Sequence, residues 1–312
     1  MDSSGRPRAF SELDGFDVDD DVVIELGARR GRGGQRRAIA VAAAAAGGAV
    51  ALFLAGAAYA RANAAPAPGG TIDENCLVPH GGPEWPVLSA CVSTLMEYSG
   101  YSESSQSGGG AYADAVETVG TDLSTWGTAP AADCASIVVF DIDETVLSNL
   151  KVMVELDFGY EKDTWSEWVE EAAAPALQPI ADAYAALWHR GYTVAFVTGR
   201  HSVHRNATER NLQTAGLGDA CAADAPRCGS GSAAQQGEAP AQPCYAKLVL
   251  RETADEPDEE YASTYKTRAR AALAAEFSAT VAATVGDQFS DLTGTDASVK
   301  AFKMPNPFYV VL

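Results

Sequence analysis

Acidic, hydroxyl and lysine side chains follow several short apolar runs of this sequence. The residues whose types and order could perform chemistry are Asp141, Asp143, Thr198, Gly199, Lys266, Asp287 and Asp291. Four carboxylates gathered at one place would repel one another and would need a cation. Since the set contains no imidazole or thiolate, its oxygen ligands suit a hard cation such as Mg²⁺.

Transfer of a phosphoryl group is the reaction that such a set serves best. It needs an in-line nucleophile, neutralisation of the phosphoryl oxygens and a proton for the leaving oxygen. Asp141 would attack phosphorus and form an aspartyl-phosphate. Asp143 would protonate the leaving group and then activate water. Taken singly, each residue also has an ordinary explanation, because Asp and Thr are common turn and helix-cap residues.

The remaining residues would bind phosphate and metal. Thr198, the backbone at Gly199 and Lys266 would hold the phosphoryl oxygens, with Lys266 also reducing the repulsion between Asp141 and the substrate. Asp287 and Asp291, together with Asp141 and the backbone carbonyl of Asp143, would hold Mg²⁺. All four carboxylates are therefore expected to converge on one cation.

Alternating strands and helices would bring these residues to one edge. Apolar runs predict strands at 136–140, 193–197, 247–250 and 279–285, and periodic segments predict helices at 175–190, 202–215 and 262–276. This order indicates an α/β fold with a doubly wound parallel sheet. In such sheets ligands bind beyond the carboxyl ends of the strands, which is where the predicted site residues stand.

The segments around these residues resemble those of a known family. DIDETVLSN (141–149), VTGR (197–200), YKTRAR (265–270) and GDQFSDL (286–292) look like the four motifs of the haloacid dehalogenase (HAD) superfamily. RNATERNL (205–212) and FKMPNPFYVV (302–311) are similar to the plant-type acid phosphatases of subfamily IIIB, which include the vegetative storage proteins. The resemblance implies a Rossmann-like core with a small helical cap at about 149–175, Mg²⁺ dependence and hydrolysis of small phosphomonoesters, typically at acid pH.

The resemblance leaves two functions open. One is an acid phosphatase, and the other is a non-catalytic acidic storage or metal-binding protein that retains the fold. Storage relatives can lose the nucleophilic aspartate, whereas Asp141 is present here, which favours the enzyme. Residues 221–246 are expected to form an insertion within a catalytic domain at 73–312.

The overall charge excludes one class of partner. The chain has 22 Lys and Arg against 42 Asp and Glu, a net charge of −20. Proteins bind nucleic acid by neutralising phosphates with clustered basic side chains, so a nucleic-acid partner is not expected.

The N-terminal region carries a membrane signal. Residues 38–60 are uncharged and long enough to cross a bilayer, and basic residues in the polar tail 1–37 precede them. This pattern predicts a single-pass type II anchor with a cytosolic tail, a linker at 61–72 and a lumenal or extracellular body. The alternative is a cleaved signal peptide, with a secreted or vacuolar product.

The cysteines and one sequon fit a translocated body. All six cysteines, Cys76, Cys91, Cys134, Cys221, Cys228 and Cys244, follow the hydrophobic segment. The last three are predicted to staple a loop, whereas Cys134 could be a free buried thiol. Asn206 lies in the single N-glycosylation sequon.

Several polar and aromatic residues near the motifs allow two interpretations. Tyr160, Trp165 and Trp168 could form a lid over the leaving group or could be core aromatics. His201 and His204 are interpreted as solvated helix-start residues. Arg200 is interpreted as the partner of a carboxylate rather than as a phosphate ligand.

The topology prediction can be tested in sealed membrane vesicles with their cytosolic face outward. An anchored protein loses only the tail 1–37 when protease is added, and the body stays protected. A protein with a cleaved signal peptide has no tail to lose and appears in the soluble lumenal fraction. Immunoblotting with tail-specific and body-specific antibodies separates these outcomes.

Overall fold

The computed structural model describes residues 84–85, 89–127, 134–229, 242–252, 261–294, 300–309 and 311. The predicted tail 1–37, hydrophobic segment 38–60 and linker 61–72 lie outside the described residues. Among the described helices, none has the length and apolar character needed to cross a bilayer.

A parallel sheet of five strands forms the centre of the described chain. Its strands are β2 (Ser136–Phe140), β4 (Thr193–His201), β5 (Lys247–Arg251), β6 (Thr280–Gly286) and β7 (Lys300–Lys303). Their order is β5-β4-β2-β6-β7, and every neighbouring pair is parallel. The four strands predicted from apolar runs are confirmed. The sequence did not predict the short strand β7. Only Ala301 and Phe302 lie between its two terminal lysines, so it contains no apolar run.

Seven α-helices and a small two-stranded antiparallel sheet surround this sheet within the described residues. The helices are α1 (Ser89–Ser99), α2 (Gly110–Thr125), α3 (Leu150–Glu155), α4 (Lys162–Glu171), α5 (Gln178–His189), α6 (Arg205–Thr214) and α7 (Ala262–Phe277). Strand β1 (Glu84–Trp85) pairs antiparallel with β3 (Tyr160–Glu161). The three predicted helices correspond to α5, α6 and α7, with boundaries that differ by at most three residues.

The core explains why the central strands are apolar on both sides. One face of the sheet joins a large cluster that includes Phe140, Tyr184 and Phe196, and the other face packs Val139 and Val197 against α7. Strand residues buried on both faces read as continuous apolar runs, as the sequence showed. The sheet edge that carries the polar residues is therefore held by a dry, packed scaffold.

Two disulfides lie within the described residues. Cys221–Cys244 closes the base of the predicted insertion, and Cys134–Cys228 ties that insertion to the start of β2. The stapled loop is confirmed, whereas the alternative of a free thiol at Cys134 is wrong. Closing loops of these lengths typically stabilises a protein by about 3 to 5 kcal/mol.

The segment expected to form the cap contains α3, β3 and α4. Trp168 in α4 is buried, and its indole Nε1 donates a hydrogen bond to Asn149 Oδ1 at 2.8 Å. Trp165 is partly buried against the same core and lies 5.8 Å from Tyr160, centroid to centroid. Trp168 is therefore a core aromatic, in line with the second of the two interpretations.

Helix α2 packs closely on α5, and a single glycine allows the approach. A Cβ atom at Gly120 would lie 2.7 Å from Pro179 Cβ and 2.8 Å from its carbonyl oxygen. Alanine gains about 1 kcal/mol over glycine in a helix. Overpacking against backbone costs about 1 to 3 kcal/mol, so the clash is expected to dominate.

We therefore expect Gly120→Ala to lower the free energy of unfolding by up to about 2 kcal/mol, measured by urea denaturation. Exposed Glu117 on the same helix provides the control, since Glu117→Ala is expected to change stability by less than about 0.5 kcal/mol. A stabilised Gly120→Ala protein would contradict the close packing of α2 on α5.

Candidate functional site

The strand register brings the predicted residues to one edge of the sheet. Phe140 pairs with Phe196 of β4 and Val285 of β6. Asp141 directly follows Phe140. Thr198 stands two positions after Phe196, and Asp287 stands two positions after Val285. The backbone N–H of Asp141 still donates to Val285 O at 2.9 Å, so the chain leaves the sheet with this edge in register.

The ammonium group of Lys266 lies between two carboxylates. Its Nζ is 3.1 Å from Asp141 Oδ1 and also donates a hydrogen bond to Asp291 Oδ1. All three side chains are buried, and Lys266 is 5% exposed. Lys266 stands in the first turns of α7, as expected, and α7 packs on the sheet through Tyr265 and Ala269. One buried cation is thus shared by residues from three different elements.

Asp291 is fixed by its own loop as well as by Lys266. Its Oδ2 accepts a hydrogen bond from the backbone N–H of Gln288 at 2.8 Å. A Cβ atom at Gly286 would collide with the Asp291 side chain, so glycine is required there. The guanidinium of Arg270 donates to the carbonyl oxygens of Ser290 and Asp291 at 3.3 Å and 3.1 Å. The GDQFSD sequence therefore builds a rigid loop around one carboxylate.

Asp287 completes a group of three acidic side chains. Its Oδ2 accepts hydrogen bonds from Asn306 Nδ2 at 2.7 Å and from Gln288 Nε2, and Thr145 Oγ1 is 3.4 Å from its Oδ1. One carboxylate oxygen from each of Asp141, Asp287 and Asp291 lies within 4.8 Å of the other two. Three of the four carboxylates expected to converge are thus together.

Asp143 differs from that expectation, because its side chain binds Arg200 instead. Arg200 Nη2 lies 2.7 Å from Asp143 Oδ1, and Nε is 3.1 Å from both carboxylate oxygens. Arg200 Nη1 donates to Thr208 Oγ1 at 3.3 Å. The interpretation of Arg200 as the partner of a carboxylate is confirmed. Because its side chain is occupied, Asp143 would bind a metal only through its backbone carbonyl.

The two aspartates of this strand end have opposite pKa shifts. Burial raises the pKa of Asp141 well above its usual value, and the charges of Asp291 and Asp287 add to the effect although Lys266 opposes it. Burial by itself would also raise the pKa of Asp143. There the charge and hydrogen bonds of Arg200 and the Asn149 amide outweigh burial, so the pKa of Asp143 is lowered.

Lys266 is held in its charged form by the same carboxylates. Burial alone would lower the pKa of Lys266, but the negative charges of Asp141 and Asp291 outweigh burial and raise it above its usual value. A permanently charged ammonium at this position can neutralise an anion that enters the site.

Thr198 and Gly199 lie within β4, which is longer than predicted, rather than after it. The pairing of β4 with β5 shifts register between Val197 and His201, so the ladder is irregular at these residues. Thr198 is buried and its Oγ1 accepts a hydrogen bond from the backbone N–H of Arg200 at 3.1 Å. A Cβ atom at Gly199 would meet no atom within 4 Å, which leaves room for a ligand group at this edge.

The donor set fits a hard divalent cation. Asp141 Oδ1 is buried and receives no hydrogen bond, its contact with Lys266 being ionic. The three neighbouring carboxylates contribute only oxygen ligands, as Mg²⁺ and related cations require. One lysine does not balance the negative charge of three carboxylates. A divalent cation among them would supply the remaining positive charge.

Sequence reasoning assigned no role to a second group of polar residues next to the site. Its members are Glu144, Thr145, Asn149, Gln288, Asn306 and Tyr309. They lie within the quoted motifs or within residues 302–311, but residue type alone does not reveal which buried oxygen each one binds. His204 is not simply solvated, because its Nδ1 lies 2.6 Å from Glu170 Oε1.

Comparisons with known proteins show which family and which relatives the chain is similar to. The family model described as HAD superfamily, subfamily IIIB (acid phosphatase) matches residues 88–312, more than two thirds of the chain. Acid phosphatase 1 of Solanum lycopersicum is 32% identical over 183 residues, 58% of this chain and 61% of its own length. The stem 28 kDa glycoprotein of Glycine max is 32% identical over 177 residues, 55% of this chain and 59% of its own.

These relatives are thus matched over about three fifths of their length. Vegetative storage protein 2 of Arabidopsis thaliana is 24% identical over 189 residues, 59% of this chain and 60% of its own. The crystal structure of the class C acid phosphatase from Bacillus anthracis has a TM-score of 0.45 at 18% identity, covering 70% of this chain and 86% of that chain. A TM-score of this size supports no inference about this chain.

The repulsion within the acidic group leads to a test without substrate. Burial and the charge of Asp291 raise the pKa of Asp287, so its ionised form destabilises the fold near neutral pH and its neutral form does not. Asparagine resembles the neutral form. Its amide oxygen can accept the hydrogen bonds from Asn306 and Gln288 that the aspartate accepts.

We expect Asp287→Asn to raise the melting temperature in EDTA and to abolish the further rise that MgCl₂ or MnCl₂ gives the wild type. For the wild type, a cation at about 100 times its Kd should add about 2.7 kcal/mol. Asp122→Asn on the exposed face of α2 is the matched control and should leave both values unchanged. A variant that melts below the wild type in EDTA would contradict the assigned repulsion.

Proposed function

Because the chain belongs to subfamily IIIB of the HAD superfamily, the acid phosphatase family, we propose that it hydrolyses small phosphomonoesters. The observation that carries the proposal is the buried group in which Lys266 bridges Asp141 and Asp291 at the carboxyl edge of the sheet. A cation, a nucleophilic carboxylate and open space at Gly199 are what a phosphoryl group requires.

In the first half of the proposed reaction, Asp141 is the nucleophile. A carboxylate oxygen of Asp141 attacks phosphorus, and the bond from phosphorus to the leaving oxygen breaks. Asp141 Oδ1 suits this role because it is buried and, apart from its ionic contact with Lys266 at 3.1 Å, has no hydrogen-bond partner. Lys266 and the N–H and hydroxyl groups around Thr198 would bind the phosphoryl oxygens and stabilise the charge that develops on them.

Asp143 would transfer the protons. It donates one to the leaving oxygen as the ester bond breaks, and it then accepts one from the water that attacks the aspartyl-phosphate. That second step releases inorganic phosphate and restores the Asp141 carboxylate. The pair with Arg200 holds Asp143 in its ionised form before substrate binds, so the acid step needs a proton that an acidic medium supplies.

Mg²⁺ is the proposed metal, held by Asp141, Asp287, Asp291 and the backbone carbonyl of Asp143. When bound, it would neutralise the charge on the phosphoryl oxygens and orient the substrate for in-line attack. The three clustered carboxylates support this assignment.

The compartment is proposed from the disulfides. The described chain has two disulfides, Cys134–Cys228 and Cys221–Cys244. Disulfides persist in oxidising compartments and are rare in the cytosol. We therefore propose that the catalytic domain works in a lumen or outside the cell, either anchored through 38–60 or released from the membrane.

The second candidate, a storage or metal-binding protein without activity, is favoured by one observation. A relative at 24% identity is named vegetative storage protein 2. Such a protein would keep the acidic group and its affinity for cations but would not need Asp143 to reach a leaving group. A phosphatase assay separates the two functions.

We expect the full chain to release p-nitrophenol from p-nitrophenyl phosphate between pH 4 and 7 with MgCl₂ and to lose this activity in EDTA. Asp141→Asn should reduce kcat by about a thousandfold or more, since it removes the nucleophile. Asp122→Asn, the same chemical change on an exposed helix face, should leave the rate unchanged. No release by the wild type at any pH in this range would reject the enzyme and leave the storage function.

A further inference from the structure

The chain beyond β7 passes directly over the acidic group. The backbone N–H of Met304 donates to Gly286 O at 2.8 Å, which extends the pairing of β7 with β6 by one residue. We call residues 304–309 the C-terminal segment. Phe308 anchors this segment in the core, where its ring stacks on Phe158 at 5.4 Å between centroids. Two polar side chains on either side of this anchor, Asn306 and Tyr309, reach the site.

Asn306 is oriented by its own turn. Its Oδ1 accepts hydrogen bonds from the backbone N–H groups of Phe308 at 2.9 Å and Tyr309 at 3.3 Å. The amide Nδ2 is therefore the atom that faces Asp287, and it donates to Asp287 Oδ2 at 2.7 Å. This bond fixes one oxygen of Asp287, and Thr145 Oγ1 lies 3.4 Å from the other. Partners of this kind set the orientation of metal ligands.

Tyr309 reaches the opposite side of the site through Glu144. Its hydroxyl donates to Glu144 Oε2 at 2.5 Å, and Glu144 is 0% exposed. The backbone N–H of Asn149 donates to Glu144 Oε1 at 2.7 Å, and the Asn149 amide Nδ2 lies 3.2 Å from Oε2. Glu144 has a left-handed backbone conformation with φ of 51°, which these bonds on both carboxylate oxygens hold in place.

The same Asn149 amide holds Asp143. Nδ2 donates to Asp143 Oδ1 at 2.9 Å, while Oδ1 of Asn149 accepts a hydrogen bond from Trp168 Nε1 at 2.8 Å. Because the tryptophan defines which side of the amide is the acceptor, the donor side must face the two carboxylates. A continuous set of hydrogen bonds thus runs from Tyr309 through Glu144 and Asn149 to Asp143.

We propose that the C-terminal segment is a positioning element of the catalytic site, with Asn306 orienting Asp287 for the cation and Tyr309 orienting Asp143 for proton transfer. The second part rests on the proposed phosphatase function, whereas the first requires only cation binding. A segment that merely completed the core would need Phe308 and Met304. It would not need one side-chain donor to Asp287 and another to Glu144, whose hydrogen bonds continue through Asn149 to Asp143.

Two variants that retain the packing test the proposal. Asn306→Ser keeps an oxygen that can accept the turn hydrogen bonds and removes the donor to Asp287. Tyr309→Phe keeps the ring and removes the donor to Glu144. The control is Tyr184→Phe, because the Tyr184 hydroxyl is buried in the core and makes no hydrogen bond. Circular dichroism and melting temperature establish that each variant is folded.

Isothermal titration calorimetry with MgCl₂ tests the first part without substrate. Asn306→Ser should bind Mg²⁺ about 10-fold more weakly than the wild type, as is typical when a hydrogen-bond partner of a ligand is lost. Tyr184→Phe should bind as the wild type does. Wild-type affinity in Asn306→Ser, or no binding of Mg²⁺ by the wild type, would overturn the proposal.

The choice of leaving group tests the second part. An alkyl leaving oxygen needs its proton during bond cleavage far more than a nitrophenolate does. Tyr309→Phe should therefore lower kcat about 10-fold for an alkyl phosphate such as glycerol 2-phosphate, with KM little changed, and much less for p-nitrophenyl phosphate. Equal losses on both substrates, or no loss, would overturn it. If the wild type hydrolyses neither substrate, the phosphatase function fails and the calorimetry alone decides.

Discussion

The shared ion pair of Lys266 with Asp141 and Asp291 is the interaction on which the rest of the site depends. Two like charges about 4 to 5 Å apart repel by about 3 to 4 kcal/mol at an effective dielectric constant of about 20. Three buried carboxylates at this spacing could not remain ionised without a buried cation. A lysine can fill this position because its charge is compact and its apolar stem packs on the sheet from α7.

Placing that ammonium requires the whole scaffold. Helix α7 must lie on the sheet so that Lys266 reaches over the ends of β2 and β6, and Arg270 one turn later holds the carbonyl oxygens of the Asp291 loop. One helix therefore positions both the counter-ion and one of its acidic partners. The parallel register of β2 and β6 places Asp141 and Asp287 at the same edge of the sheet, because each follows the carboxyl end of its strand.

The sequence predicted the elements that are defined by local patterns. The buried strands and α5, α6 and α7 were found because apolar periodicity reports burial directly. Strand β7 was missed because four residues with lysine at both ends carry no such pattern, although its pairing with β6 delivers the C-terminal segment to the site. Of the site residues, those gathered around Lys266 were anticipated from their order along the chain.

The contacts that the sequence could not predict are those between distant, individually ordinary residues. Asp143 was expected near the cation with the other acids, but Arg200 competes for it and binds it through two nitrogens. Glu144 and Tyr309 are 165 positions apart, and only the folded sheet brings them within hydrogen-bond distance. Their types alone, an acid after a DxD sequence and a tyrosine near the end of the chain, give no sign of the pairing.

Asp141 and Asp143 illustrate how one strand end can give the same side chain two behaviours. Acid and base roles are usually separated by environments that shift pKa values apart. Here the pKa of Asp141 is raised and that of Asp143 is lowered, which is the reverse of what their proposed roles as nucleophile and acid require. The reversal holds for the protein alone. Positive charge added among the three carboxylates favours the ionised form of Asp141, and a phosphate dianion beside Asp143 favours its protonated form. A bound cation and a bound phosphate would therefore complete the charge pattern that the proposed reaction needs, because the pKa shifts in the protein alone have the opposite directions.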